Sequence, residues 1–167
     1  MLVIADTSPL NYLILIDALE FLPRLYPQVI LPRGAWQELQ HADAPTPVKL
    51  WARALPDWIE VREAPVPIDP DLEALGKGEQ EAIALAELYR SESPVLLLLD
   101  ERAAREHAAA RKIASTGTLG VLRAAAARGW IDLATALDRL RQTNFRVTSV
   151  LLLELLAEEA ERRRKEE

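Results

Sequence analysis

Four acidic residues stand out by their settings: Asp6, Glu38, Glu79 and Asp100. Asp6 ends the short apolar run that begins at Leu2, and Asp100 ends the run Val95 to Leu99. Glu38 and Glu79 sit in stretches that favour helix. Carboxylates brought together raise one another's pKa or recruit a cation. The chain has no Cys, and its two histidines, His41 and His107, stand alone. Disulfides, thiolate zinc sites and Cys nucleophiles are therefore excluded, and any metal must be a hard cation held by oxygens. Three or four acids suit Mg²⁺ or Mn²⁺, ions that keep several waters and take substrate phosphate oxygens as well. The matching reaction is in-line hydrolysis of a phosphodiester with one or two metals.

Each acid also has a plainer reading. Asp6 can cap the first helix together with Ser8, and Asp100 can be the N-cap of a helix starting at Glu101. Glu38 can be a solvated residue beside Gln37 and Gln40, and Glu79 and Glu81 can complement the positive end of their helix. The acids carry more weight as a set, so the question becomes which elements would bring them together.

Leu2 to Ile4 reads as a buried parallel strand, with Ser8 as N-cap and Pro9 as first residue of a helix that runs to about Leu22. Val29 to Leu31 is a second strand, and Pro32 starts a second helix carrying Trp36, Glu38 and Leu39. A third helix spans about Val48 to Leu55, Trp58 to Val61 is a third strand, and Glu63 to Pro70 is a Pro-rich loop. Glu79 to Tyr89, rich in Ala, Leu and Glu, is a strong helix former. Val95 to Leu99 is the clearest buried strand, followed by an Arg- and Ala-rich helix from Glu101 to Lys112. Ile113-Ala114 makes a short fifth strand. A helix opening at Thr116-Gly-Thr-Leu-Gly120 ends near Arg128 with Gly129 as its C′ residue. Helices over about Leu133 to Gln142 and Ser149 to Arg164 close the chain.

This alternation predicts an α/β fold: three layers, α/β/α, around a central, mainly parallel sheet of four to five strands with right-handed crossovers. All strand tips then share one edge, where ligands bind in open α/β sheets. Asp6 and Asp100 fall at that edge, and the early turns of the second helix lie near it. The helix carrying Glu79 is expected to run back from the other edge or to pack across. Residues 1–130 form the predicted main domain, with residues 131–167 a helical extension packed on it.

The 167 residues suffice for one full core. A net charge of −6 does not attract nucleic acid by its overall field, so such binding needs a local basic patch or a metal. No signal-peptide pattern or membrane-length apolar run is apparent, which predicts a cytoplasmic protein without membrane contact.

Five motifs resemble, in order and spacing, those of the PIN domain. They are Ala-Asp6-Thr-Ser-Pro-Leu, Pro32-Arg-Gly-Ala-Trp-Gln-Glu38-Leu, Gly78-Glu79-Gln-Glu-Ala-Ile-Ala-Leu-Ala, Leu-Leu-Asp100-Glu-Arg-Ala-Ala-Arg105 and Thr116-Gly-Thr-Leu-Gly-Val-Leu122. The resemblance covers about residues 1–130. It implies an acidic pocket that binds Mg²⁺ or Mn²⁺ and a metal-dependent ribonuclease. It also implies kinship with toxins of type II toxin–antitoxin pairs, which are often dimeric and held by a small antitoxin. Carried over by motif, the catalytic and metal-site acids are Asp6, Glu38, Glu79 and Asp100, with Glu101 secondary and Thr7 and Thr116 as polar residues of the pocket. One departure is Glu79, where many relatives have the shorter Asp. A catalytically weak or inactive nucleic-acid-binding or interaction module is the alternative.

For the RNA substrate, Arg102, Arg105 and Lys77 are the candidate phosphate contacts. Arg102 and Arg105 share one helix face, and their plainer role is pairing with nearby Glu. Free N–H groups at the entrance of the Leu119 helix offer another anion contact. The four Trp form no cluster in sequence, which points to core or interface positions, and Arg162 to Lys165 reads as a solvated helix end. A phosphotransfer receiver on a similar sheet fits poorly, because the chain has one early acid and no Lys after the fifth strand.

Overall fold

The structure is a computed structural model describing residues 1–167. Five strands form one wholly parallel sheet: β1 (Leu2–Ala5), β2 (Val29–Pro32), β3 (Ile59–Arg62), β4 (Val95–Leu98) and β5 (Ala114–Thr116). Their order across the sheet is β3-β2-β1-β4-β5. The chain thus steps outward from β1 on one side, then returns to its other side. The crevice between β1 and β4, where the order reverses, is where ligands bind in such sheets. Asp6 and Asp100 follow the two strands that flank it, in register Ala5 with Leu98.

Nine helices cover the two faces: α1 (Thr7–Leu15), α2 (Phe21–Leu25), α3 (Arg33–Leu39), α4 (Thr46–Arg53), α5 (Lys77–Tyr89), α6 (Arg102–Ala110), α7 (Thr118–Ala127), α8 (Leu133–Arg141) and α9 (Ser149–Glu166). Strand side chains alternate between the faces, as the pleat requires. Val3, Ala5, Val29, Leu31 and Leu98 join the larger core under α1–α4 and α7–α9. Ile4, Ile30, Leu97 and Leu99 join the smaller one under α5 and α6. Both faces are buried, which explains why the strands read as continuous apolar runs. Leu137, Leu140, Leu152 and Leu155 place α8 and α9 on the same core as α1. No helix is long and apolar enough to cross a membrane.

Three local expectations differ from the structure. The first helix is not continuous to Leu22 but ends at Leu15, because Asp17 adopts φ 61°. Ala18 N–H then bonds Leu13 O and Asp17 N–H bonds Ile14 O, which makes a Schellman stop built on Asp instead of Gly. The same pair of bonds closes α7 at Gly129, the predicted C′ residue, with φ 71°. Secondly, the N-cap of α1 is Asp6, not Ser8, and Pro9 falls third in the helix, where its missing N–H is still harmless. Thirdly, the helix carrying Glu79 does not run in from the far edge. It follows β3 in the chain, so its N-terminus lies on the same edge as the other strand tips.

Candidate active site

The sheet edge gathers the acids from four elements. Asp6 comes from the tip of β1, Glu38 from the last turn of α3, Glu79 from the first turn of α5 and Asp100 from the residue after Leu99. Asp6, Glu38 and Glu79 line one hollow of about 310 Å³ with Thr7, Ser8, Asn11, Tyr12, Gly76 and Gly78. Asp100 stands just behind Ser8, whose hydroxyl donates to its Oδ2 at 2.8 Å. The first turns of α1, α5 and α7 abut these acids, and the positive ends of helices favour carboxylates there.

Donors are shared unequally. Glu38 accepts from the Thr7 hydroxyl at 2.7 Å and the Gly78 amide at 3.3 Å. Asp100 accepts from the Thr118 amide at 2.7 Å and the Thr118 hydroxyl at 2.8 Å. It therefore caps α7, whose own N-cap, Gly117, has no side chain to do so. Asp100 does not cap α6, as the local sequence suggested; Glu101 is that N-cap, and its side chain makes no capping bond. Nor is the entrance of α7 open to an anion at Thr118, because Asp100 takes that amide.

Glu79 divides its two oxygens. Oε2 accepts from the Gly76 amide at 3.0 Å, an N3 side chain reaching back to its own N-cap. Oε1 is buried without a partner, and so is Asp6 Oδ1. Both residues are buried, Asp6 at 5% exposure and Glu79 at 7%. Desolvation, tempered by the Thr7 amide and reinforced by Glu79, Glu38 and Asp100, pushes the Asp6 carboxyl up to about 7. Burial likewise raises Glu79 above the usual carboxylate range, against the Gly76 amide and with Glu101 and Glu38 adding to it. Two residues of one hollow thus each keep a buried carboxylate oxygen without a donor, the ligand type that a hard cation takes. Mg²⁺ commonly binds through one or two carboxylates and keeps its remaining waters. No three acids or histidines already stand as a cage.

The other predicted residues fall as follows. Glu101 is exposed at the rim, close enough to raise Glu79 and Tyr12. Thr7 lines the acidic hollow, whereas Thr116 lines a second hollow beside Asp100. Lys77 is exposed and reaches toward Gln37 and Glu81, and Arg102 pairs with Glu106. Arg105 donates to the backbone carbonyls of Asp100 and Leu99. Arg162, Arg163 and Lys165 are all engaged by acids of their own region. Asn11 and Tyr12 line the hollow with no signal in the sequence, and Ser8 and Thr118, legible there only as helix-entrance residues, are the partners of Asp100. A helical reading does put Asn11 and Ser8 on the face of α1 that includes Thr7, but nothing local assigns Thr118 to Asp100.

Glu81, two residues beyond Glu79, faces α3 instead of the hollow. Its Oε2 accepts from the Gly34 amide at 2.6 Å, filling the space a side chain on Gly34 would need. This bond ties the start of α3 to α5 and so fixes the helix that carries Glu38. Glu81→Ala leaves that buried amide unpaired and is expected to cost about 1–3 kcal/mol, whereas Glu81→Gln keeps an acceptor and costs less. Urea unfolding of the two variants measures the difference.

A protein-family profile described as a PIN domain matches residues 2–161, from β1 into α9. No curated protein and no solved structure matches the chain.

Proposed function

The chain belongs to the PIN-domain family, a nuclease-type fold, and from that premise we propose that it is a divalent-metal-dependent endoribonuclease. One observation carries the reading: Asp6 and Glu79 line one hollow at the tip of β1, and each keeps a buried carboxylate oxygen, Oδ1 and Oε1, without a partner. Asp6 and Glu79 would hold Mg²⁺ or Mn²⁺, with Glu38 and Asp100 completing the acidic surround. When bound, such a cation supplies charge to the phosphodiester oxygens and lowers the pKa of water.

The chain's own residues do the rest. Thr7 and the Gly78 amide hold Glu38 toward the hollow. Thr118 and Ser8 hold Asp100, which in turn fixes the Ser8 hydroxyl at the wall of the hollow. Desolvation keeps a proton on Asp6 up to about pH 7 in the absence of a cation, so cation binding is expected to release it and to strengthen as pH rises. Lys77, which precedes Glu79, and Arg105, which follows Asp100, are the basic residues offered to the polyanion, while Arg102 is already paired with Glu106 and Glu101 is a secondary acid.

The test is cleavage of a mixed pool of single-stranded RNA by the purified chain with Mn²⁺, Mg²⁺ or EDTA. Cleavage with either ion, abolished by EDTA and cut on the order of 10²-fold or more in Asp100→Asn, is the expected outcome. No cleavage under any of these conditions, or cleavage indifferent to EDTA, counts against the reading.

A second reading, a PIN-like module that binds without efficient catalysis, is favoured by the lack of a preformed three-acid cage and by Glu at the third position. Calorimetric titration separates the two: Mn²⁺ binding lost in Asp6→Asn supports a working centre, and no binding supports the module. We extend the first reading to a toxin-type effector acting as a homodimer and restrained by a small antitoxin protein. Motif order and the family assignment support this extension. A neighbouring small reading frame whose product relieves growth arrest on co-expression is its check.

A further inference from the structure

A second hollow lies back to back with the acidic one. It encloses about 320 Å³ and is lined by Asp100, Arg105, Thr116, Gly117, Phe145 and Arg146, among others. Three contacts form the partition. Ser8, which faces the acidic hollow, donates to Asp100, which faces the second. Tyr12, also of the acidic hollow, meets Phe145 edge to face with ring centroids 4.8 Å apart, and its hydroxyl donates to Asn144 at 2.8 Å. The connector between α8 and α9, which supplies Asn144, Phe145 and Arg146, is thereby fastened to the site by Tyr12.

The charge of this hollow is opposite to that of its neighbour. Asp100 is its single acid, and three donors from Ser8 and Thr118 already satisfy it. Arg105 is anchored at the floor by carbonyls and has no carboxylate partner. Arg146 is exposed and makes no ion pair or hydrogen bond at all. Arg33, Arg62, Arg102 and Arg123 are paired with glutamates, whereas Arg105 and Arg146 are among the arginines that no carboxylate neutralises. Arg146 also lies close enough to Tyr12 to oppose the influence of Asp100 and Glu101 on its phenol. Two unneutralised guanidinium groups beside an acidic hollow suit a ligand that carries repeated phosphates.

We propose that this hollow is a second phosphate subsite, in which Arg105 and Arg146 hold the backbone of a single-stranded nucleic acid next to the nucleotide whose phosphate meets Asp6 and Glu79. The assignment rests on the nuclease reading above. Each hollow has room for a nucleotide-sized unit, not a duplex, and Phe145 with Tyr12 separates the two as an aromatic divider. Positively charged grooves with interleaved aromatics are the general means of holding a single strand. The C-terminal helices then have a role that the first 130 residues do not supply: they present Arg146.

Fluorescence anisotropy of a short labelled single-stranded RNA, titrated with the full chain in Ca²⁺ over about 50 to 200 mM salt, tests it. Arg146→Ala is expected to weaken binding about fivefold or more at low salt and to lower the slope of log K against log salt by about 0.7, the value for one phosphate contact on a single strand. Arg146→Lys keeps most of the slope. Arg90→Ala, which removes the same charge at the far end of α5, leaves both quantities unchanged. Unaltered affinity and slope in Arg146→Ala, while the parent chain binds and cuts RNA, overturn the subsite and leave the nuclease reading standing. A parent chain that neither binds nor cuts RNA overturns both. Arg146-dependent binding of an acidic peptide with RNA binding unaffected assigns the hollow to a protein partner and overturns the subsite.

Discussion

Asp6→Asn is expected to abolish nuclease activity and, in the same molecule, to stabilise the metal-free fold. The two effects have one cause. Asp6 is buried, Oδ1 has no donor, and its carboxyl is pushed up to about 7 from an ordinary value of 3.8. Between those limits the folded chain keeps a proton that the unfolded chain has released. Stability is therefore greatest below pH 4 with respect to this group, falls as pH rises through the window, and stays reduced above about pH 7. Three pKa units correspond to about 4 kcal/mol, an upper bound once relaxation and water access are counted. Asparagine has nearly the same shape and no charge at any pH. In EDTA at pH 8 the variant is expected to be about 2–4 kcal/mol more stable than the parent, with the gap closing by pH 4. Urea melts at the two pH values measure it. Under the proposed function, removing this carboxylate is expected to forfeit several kcal/mol of transition-state stabilisation, on the order of 10³-fold in rate. A variant less stable than the parent at pH 8 contradicts this account, because the Asp6 charge would then be compensated within the protein.

Gly78→Ala is expected to cost both stability and activity, against the usual gain from replacing glycine in a helix. In isolation the change adds about 1 kcal/mol of helix propensity. Here, however, a Cβ on Gly78 runs into Asp6 Oδ1 and comes within 3.1 Å of Ala35 Cβ and 3.3 Å of Ala35 Cα. The α3 side cannot yield readily, since Glu81 clamps its first turn at Gly34. Either Asp6 rotates out of the hollow or α5 withdraws, and both movements separate Asp6 from Glu79 and stretch the Gly78–Glu38 bond. Overpacking of this kind costs about 1–3 kcal/mol. In an Asp6→Ala background the offending oxygen is gone, so the cost of Gly78→Ala shrinks and the two changes are non-additive. A double-mutant cycle by urea unfolding checks this. Full additivity would place the damage elsewhere on α5. The tight glycine explains why α5 begins Gly-Lys-Gly: close approach, not a turn, requires the second of these residues.

Much of the edge was legible along the chain. Apolar runs ending in Asp6 and Asp100, alternating with helical stripes, pointed to parallel strands with shared tips, because a sheet buried on both faces needs continuous apolar strands. The order of elements also contained the placement of Glu79. A helix that follows β3 in a parallel sheet begins on the side of the strand tips, which the expectation that it runs back from the other edge or packs across did not take into account. The break after Leu15 was not legible, because Asp17 adopts a left-handed conformation that residue type alone does not announce. Glu79 shows why a choice between a capping role and a site role misleads: one oxygen caps α5 and the other is free.

By itself, the sequence determined the α/β class, four acids as candidates and the exclusion of Cys and clustered-His chemistry, since these depend on residue type and on periodicity along a single element. Only the tertiary structure decided which acids have oxygens to spare. That depends on donors from distant parts of the chain: Thr118 reaching Asp100, Thr7 and Gly78 reaching Glu38, and no donor reaching Asp6 Oδ1. It also decided that Glu81 bonds α3, that Arg102 is neutralised by Glu106, and that Arg146, far along the chain, stands beside Asp100. Hydrogen bonding and charge pairing are short-ranged in space and indifferent to distance in sequence, so the spacing of residues names the candidates and packing assigns their partners.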